Sequence, residues 1–216
     1  MPDQDAYLAF FSALLAYQLA GPGPDMVLVI ARGIAQGRRA AFAAALGGVS
    51  AGFIQIPLLA LGLASLINAS PLAHEILRWG GAGYLLFVGL KLLLSSRDAR
   101  QNEAAPLRAT SRWSAFRQGL VSNLTNPQTL AFMLALLPQF VTPGTGSVAL
   151  QLVVLGVTMK GVGLLVLGSV ALAAGSVGGW LSRQPRLLAW QGGCAGVAMI
   201  GLALYMAFSN STVKRS

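Results

Sequence analysis

Charged residues, histidine and cysteine are scarce in this chain of 216 residues. Charged residues make up 10% of it, whereas soluble domains carry about 25%. One cysteine (Cys194) and one histidine (His74) exclude a disulfide framework and argue against a Cys/His metal site. The sequence contains no P-loop or other nucleotide cradle, so we expect no built-in ATPase motor and no cofactor.

Apolar residues dominate the composition. They make up 55% of the chain, and the mean hydropathy is +0.67. Crossing the hydrocarbon core of a bilayer takes about 20 apolar residues. Six stretches reach that length: roughly 6–31, 41–67, 72–95, 116–141, 147–177 and 187–208. The sequence therefore predicts an all-α integral membrane protein with six transmembrane helices. Acidic residues precede the first stretch, so we do not expect a cleaved signal peptide.

The basic residues predict the orientation in the membrane. The net charge is +9, but the basic residues fall in breaks between apolar stretches and form no nucleic-acid-binding patch. Lysine and arginine concentrate in cytoplasmic loops. The first, third and fifth connections hold Arg32, Arg38, Arg39, Arg97, Arg100, Arg108, Arg112, Arg117, Arg183 and Arg186, against Arg78, Lys214 and Arg215 on the other side. We expect both termini in the periplasm of a bacterial-type inner membrane.

An internal repeat divides the chain into residues 1–96 and 116–216. The Arg-rich segment 97–115 joins them, either as a cytoplasmic linker or as a regulatory or partner-binding loop. Matched pairs at one offset are Phe11/Phe116, Leu15/Leu120, Leu19/Leu124 and Pro22/Pro127, and Gly80-Gly81 lies over Gly192-Gly193. Three spans per half make the second half inverted relative to the first. Inverted 3+3 repeats with interrupted helices are typical of secondary transporters.

Both halves carry a helix break at corresponding positions, in the first and fourth predicted spans. Pro24 suits the first turn of a new half-helix, with Asp25 beside it. In the second half, Asn126 is a favoured N-cap and Pro127 suits the position after it. Asp25 precedes Arg32 by seven residues, about 10 Å of helix, which places the break near the bilayer centre. A pair of packing kinks is the alternative interpretation.

The two breaks and the polar residues near them form the predicted substrate site. Its residues are Gln18, Gly21, Pro22, Gly23, Pro24, Asp25, Asn123, Thr125, Asn126, Pro127 and Lys160. Intramembrane ionisable residues are usually functional. Asp25 could bind a substrate ammonium, carry the coupling proton or cap its own helix, and Lys160 could pair with Asp25 or line the cavity. Tyr17, Gln55 and Tyr84 are either cavity-lining groups or interhelical hydrogen-bond partners.

Four segments of the chain together resemble the lysine exporter (LysE/RhtB) family of amino-acid exporters. They read "GPGPDM", "GIAQGRRAAFAAALGGVSAG", "LRWGGAGYLLFVGLKLL" and "NLTNPQTLAFMLALLPQFV". The resemblance covers about residues 5–208 and implies export of amino acids or close derivatives, driven by an ion gradient that we expect to be of protons. Gln128 departs from the lysine that relatives commonly carry there, and Ala41 replaces a frequent glycine.

The leading hypothesis is a proton-coupled exporter that works by alternating access and is not an enzyme. A passive channel is the first alternative. A membrane-embedded enzyme is the second, although the chain lacks a metal constellation or a Ser–His pair. The expected partners are an amino-acid substrate and membrane lipid, without nucleic acid. Glycine patterns such as Gly47-Gly48 and Gly80-Gly81-x-Gly83 indicate close helix packing and would allow a homodimer. The sequence does not select the substrate or the coupling ion.

Overall fold

The computed structural model describes residues 2–19, 23–69, 71–98, 111–142, 144–181 and 185–208. These residues are helical and contain no strand, as the sequence predicts. The helices are α1 (Gln4–Leu19), α2 (Pro24–Gln36), α3 (Arg38–Ser50), α4 (Gly52–Ala69), α5 (Pro71–Asp98), α6 (Arg112–Leu124), α7 (Pro127–Ala131), α8 (Val148–Leu181) and α9 (Pro185–Phe208). A π-turn (Phe132–Leu136) and a 3₁₀ turn (Leu137–Phe140) continue α7.

Two helical stretches among these residues are long and apolar enough to cross a membrane. They are Arg38–Ser65, which joins α3 to most of α4, and Val148–Ala174 within α8. The predicted stretches 72–95 and 187–208 fall within α5 and α9. The arrangement of six spans as a 3+3 repeat stays a prediction, and most of the 97–115 segment lies outside the described residues.

Both predicted helix breaks coincide with helix ends. α1 ends at Leu19 and α2 begins at Pro24, with Gly23 as its N-cap. α6 ends at Leu124 and α7 begins at Pro127. Proline has no backbone N–H and a fixed φ, so it starts a helix well and cannot continue one. The Asn126 side chain accepts a hydrogen bond from the Gln128 N–H at 3.0 Å, as expected of an N-cap.

The connection between α2 and α3 is shorter than predicted. It consists of Gly37 alone, whose φ of +80° suits glycine. The prediction that Arg32, Arg38 and Arg39 lie in this connection was wrong, because Arg38 and Arg39 begin α3 and α2 continues to Gln36. Arg32 is therefore inside α2, with 2% of its surface exposed. The helix can bury this guanidinium because side-chain amide oxygens accept hydrogen bonds from it. Its Nη1 donates to Gln36 Oε1 at 2.5 Å, and Nε donates to Gln118 Oε1 of α6 at 3.2 Å.

Apolar side chains pack in two separate clusters. The large cluster gathers α1, α4, α5, α7, α8 and α9 around bulky residues such as Phe10, Leu85 and Phe132. The small cluster joins α2, α3, α6 and α8 and consists of Val29 and alanines. Along α8, Met159 belongs to the large cluster and Ala171 to the small one. Lys160 therefore lies on α8 between the two apolar clusters.

Glycine lets α3 and α6 approach to backbone contact. A Cβ atom on Gly119 would collide with the Ala44 carbonyl oxygen, and one on Gly47 would collide with the Phe116 carbonyl oxygen. The predicted packing role of Gly47 therefore agrees with the structure. Gly80 and Gly83 differ from that prediction, because a Cβ on either would meet nothing within 4 Å among the described residues.

Gly119→Ala should destabilise the fold by about 1–3 kcal/mol, because the added methyl forces α3 and α6 apart. Unfolding of the purified protein in mixed detergent micelles measures the change. Gly161→Ala is the matched control on α8, where a Cβ meets nothing within 4 Å, and it should be neutral or stabilising. Equal stability of the Gly119 variant and the wild type would contradict the close contact.

Candidate functional site

The first break presents a carboxylate to the end of α6. Asp25, in the first turn of α2, accepts a hydrogen bond from Ser122 Oγ at 2.8 Å. Its second oxygen accepts from Asn123 Nδ2 at 2.5 Å and from Asn126 Nδ2 at 3.1 Å. Three donors from the second break therefore hold an acid from the first break. The sequence repeat pairs the two helix breaks, and in the structure these breaks are in direct contact.

Lys160 reaches the same acid through one amide. Its Nζ donates to Gln55 Oε1 and to Asn123 Oδ1, both at 2.7 Å. Gln55 in turn donates from Nε2 to the Asn123 backbone carbonyl at 3.2 Å. The Asn123 side chain therefore accepts from the cation with its oxygen and donates to the anion with its nitrogen. We refer to Asp25, Asn123 and Lys160 as the charge bridge.

Burial makes the charge bridge sensitive to change. Asn123 is 6% exposed and Lys160 is 8% exposed. A buried ion pair that loses one partner typically destabilises a protein by about 3–5 kcal/mol, because the remaining charge lacks compensation. The Asn123 amide satisfies both charges at once, so it is the member whose loss affects both.

A small cavity adjoins the charge bridge. It has a volume of about 70 Å³, and its lining includes Asp25, Asn123 and Lys160. Small-molecule pockets usually measure about 300–1,000 Å³, so this cavity must widen to hold an amino acid. The cavity in this structure is therefore smaller than an amino acid requires. The arrangement places opposite charges on the wall of one cavity.

A second cavity lies between α2 and α6, beside the first. It has a volume of about 550 Å³ and is lined by Leu28, Ser114, Arg117, Gln118, Val121 and Ser122. Ser122 faces this cavity and also donates to Asp25. Gln118 on the same wall accepts two bonds from Arg32. The hydroxyl of Ser122 therefore links the second cavity to the charge bridge.

Sequence comparisons agree with this membrane-protein architecture. A family described as LysE type translocator matches residues 16–210. The chain belongs to the LysE type translocator family. It is therefore a membrane transport protein, and the resemblance seen in the sequence is confirmed.

Similar curated proteins carry efflux names. The homoserine/homoserine lactone efflux protein of Salmonella typhi is 34% identical over 184 residues, which cover 83% of this chain and 87% of the relative. The leucine efflux protein of Enterobacter sp. (strain 638) is 27% identical over 199 residues, covering 92% and 91%. An uncharacterized membrane protein of Pseudomonas aeruginosa is 32% identical over 193 residues, covering 86% and 88%. No solved structure matches the chain. These names indicate transporters rather than enzymes.

Six of the predicted site residues line the cavity of this translocator. They are Gln18, Gly23, Asp25, Asn123, Asn126 and Lys160. Thr125 lies away from it, because this exposed residue donates its hydroxyl to the Val121 carbonyl of its own helix. Pro24 and Pro127 are exposed helix-start residues. Gly21 and Pro22 lie outside the described residues.

The sequence interpretation missed several lining residues and left others undecided. Thr129 and Gln128 line the cavity from the first turn of α7. In the sequence both residues belong to the polar run that begins at the Asn126 cap, and this run extends beyond the predicted site. Of the undecided residues, Tyr17 lines the cavity, whereas Gln55 supports Lys160 from outside it and Tyr84 packs on the large cluster.

Asn123→Leu should destabilise the translocator by about 3 kcal/mol, because it removes one partner of the buried Lys160 ammonium and one of the three donors to the partly buried Asp25. Unfolding in mixed micelles measures the loss. Thr125→Val is the matched control two residues away, and it should stay within about 0.5 kcal/mol of the wild type. A leucine variant as stable as the control would show that the charge bridge does not hold the fold together.

Proposed function

We propose that this translocator exports amino acids or closely related small metabolites from the cytoplasm by proton-coupled alternating access. The observation that carries the proposal is the charge bridge on the wall of a cavity. In the proposed arrangement, the protein lies in the inner membrane with both termini in the periplasm. A zwitterionic substrate binds between Asp25 and Lys160 when the cavity widens.

Counting hydrogen-bonding positions supports a zwitterion. A lysine ammonium has three donors, and Lys160 uses two of them on Gln55 and Asn123. An ionised carboxylate has about four acceptor positions, and Asp25 uses three. One donor and one acceptor are left among these contacts. An α-amino acid supplies the matching carboxylate and ammonium.

The names of the relatives support the same class of substrate. One relative is named for homoserine and homoserine lactone, and another for leucine. Homoserine and leucine are zwitterions with no net charge, whereas homoserine lactone keeps the amine and has no free carboxylate. A site with one fixed positive and one fixed negative group suits such molecules better than a cation or an anion.

Asp25 is the proposed proton carrier. While ionised and facing the cytoplasm, it holds the substrate ammonium. When the site faces the periplasm, a proton that binds Asp25 removes this charge and releases the substrate. The empty, protonated site then turns back to face the cytoplasm and releases its proton there. Export of the substrate is thereby coupled to entry of a proton. Ser122 donates to Asp25 and lines the second cavity, so it supplies a polar link on this route.

The contacts between the two sequence halves support an inverted repeat. Leu93 of α5 lies beside Gly196 of α9, and Gly89 lies beside Ile200, so these third helices of the two halves run in opposite directions. In the proposed cycle one half rocks against the other around the charge bridge. The Arg32–Gln118 contact joins α2 of the first half to α6 of the second and closes the cytoplasmic end.

Asp25→Asn should abolish export that depends on the proton gradient, because an amide cannot take up and release the coupling proton. Efflux of an amino-acid panel from loaded proteoliposomes, with and without a pH gradient, measures it. Asp5→Asn is the matched control, since Asp5 is an exposed acid in the first turn of α1. It should leave export unchanged.

Three results of that experiment would contradict the proposal. Wild-type protein that moves no member of the panel would exclude amino-acid export. Gradient-driven export by the Asp25 variant at the wild-type rate would exclude Asp25 as the proton carrier. Flux that neither responds to the gradient nor shows counterflow would favour a passive channel.

Arg32→Gln should open the cytoplasmic end, because it removes the guanidinium that binds Gln118. The accessibility of the second cavity is measured with Leu28→Cys in a Cys194→Ser background, because Leu28 lines that cavity. Labelling by a membrane-impermeant maleimide should rise several-fold in inside-out vesicles. A cysteine in place of exposed Ser147, before α8, should react only in right-side-out vesicles. Unchanged labelling at position 28 would contradict the proposed closure.

A further inference from the structure

We infer that the Gln128 side chain is a second acceptor for the ammonium group of the substrate, beside Asp25. This inference rests on the proposed amino-acid export. It assigns to this translocator a substrate class that must carry N–H donors on its amine. Gln128 is then a specificity-determining residue of the small cavity.

Gln128 carries a buried acceptor without a partner. The residue is 3% exposed and lines the cavity. Its Oε1 has no hydrogen-bond partner, and it is the one buried side-chain nitrogen or oxygen in the described part of the chain of which this is true. An unsatisfied buried polar atom costs about 1–3 kcal/mol. A donor supplied by the substrate would remove that cost.

The position of the carboxamide assigns it to the acidic side of the cavity. A Cβ on Gly23 would lie 2.9 Å from Gln128 Oε1, and Gly23 is two residues from Asp25. Gln128 also follows closely on Asn126, whose side chain donates to Asp25 and accepts from the Gln128 backbone. Lys160, on the opposite side of the charge bridge, is held by Gln55 and Asn123 instead.

An ammonium group matches this pair of acceptors. It has three N–H donors, whereas the contacts of Asp25 leave one acceptor position. The Gln128 oxygen supplies another. An amide does not titrate near neutral pH. The hydrogen bond that Gln128 accepts from the ammonium therefore stays when Asp25 takes a proton, and it contributes to substrate affinity in both states of the acid. A substrate with a quaternary amine has no donor to offer and gains nothing from Gln128.

Gln128→Met tests the inference, because methionine keeps a similar volume and removes the acceptor. The KM for export of L-leucine and of L-homoserine should rise by about tenfold, with little change in kcat. The inhibition constant of N,N,N-trimethyl-leucine should be the same for variant and wild type. The melting temperature without substrate should not fall, because the oxygen has no protein partner to lose.

The remaining outcomes overturn the inference in distinguishable ways. An unchanged KM for both amino acids shows that Gln128 does not bind the substrate. A rise confined to L-homoserine shows that it binds the side-chain hydroxyl instead. A lower melting temperature of the substrate-free variant shows a structural role. Wild-type protein that exports no member of the amino-acid panel overturns the proposed function and this inference together, whereas normal wild-type export with any of the preceding results overturns the inference alone.

Discussion

The Asn123 amide between Lys160 and Asp25 is the interaction on which the rest of the site depends. Moving an isolated charge out of water costs several kcal/mol even after the protein relaxes. The protein reduces that cost by giving each charge a partner on the same amide, at 2.7 Å from the lysine and 2.5 Å from the acid. Three helices, α2, α6 and α8, must meet at one point for this to happen. The helix breaks and the close glycine contacts serve that requirement.

Local chemistry made the breaks predictable from the sequence. Proline fixes the first turn of a helix, and asparagine caps it, whatever the tertiary structure around them. Pro24, Asn126 and Pro127 therefore mark helix starts in the sequence as they do in the structure. That Asp25 and Lys160 contact polar partners was also predictable, since a charge within an apolar stretch requires a partner.

Tertiary contacts account for what the sequence did not predict. Arg32 was predicted to lie in a connection because it ends an apolar stretch. In the structure it lies inside α2, and Gln118, 86 residues away in the sequence, accepts a hydrogen bond from its guanidinium. The polar run after Asn126 did not show that Gln128 is buried, since an amide after a proline is equally suited to a solvated helix start. Its significance depends on the absence of a partner for Oε1 within a buried cavity, which no sequence pattern records.

The two apolar clusters differ in a way that bears on the proposed cycle. Opening one end of the site exposes the apolar surface packed there, at about 25 cal/mol per Å². The large cluster holds phenylalanine, leucine and methionine side chains, whereas the small cluster holds Val29 and alanines. Separating small side chains exposes less area, so the end that contains the small cluster costs less to open. That end also carries the Arg32–Gln118 hydrogen bonds, which join α2 to α6 where the alanine packing buries little apolar area.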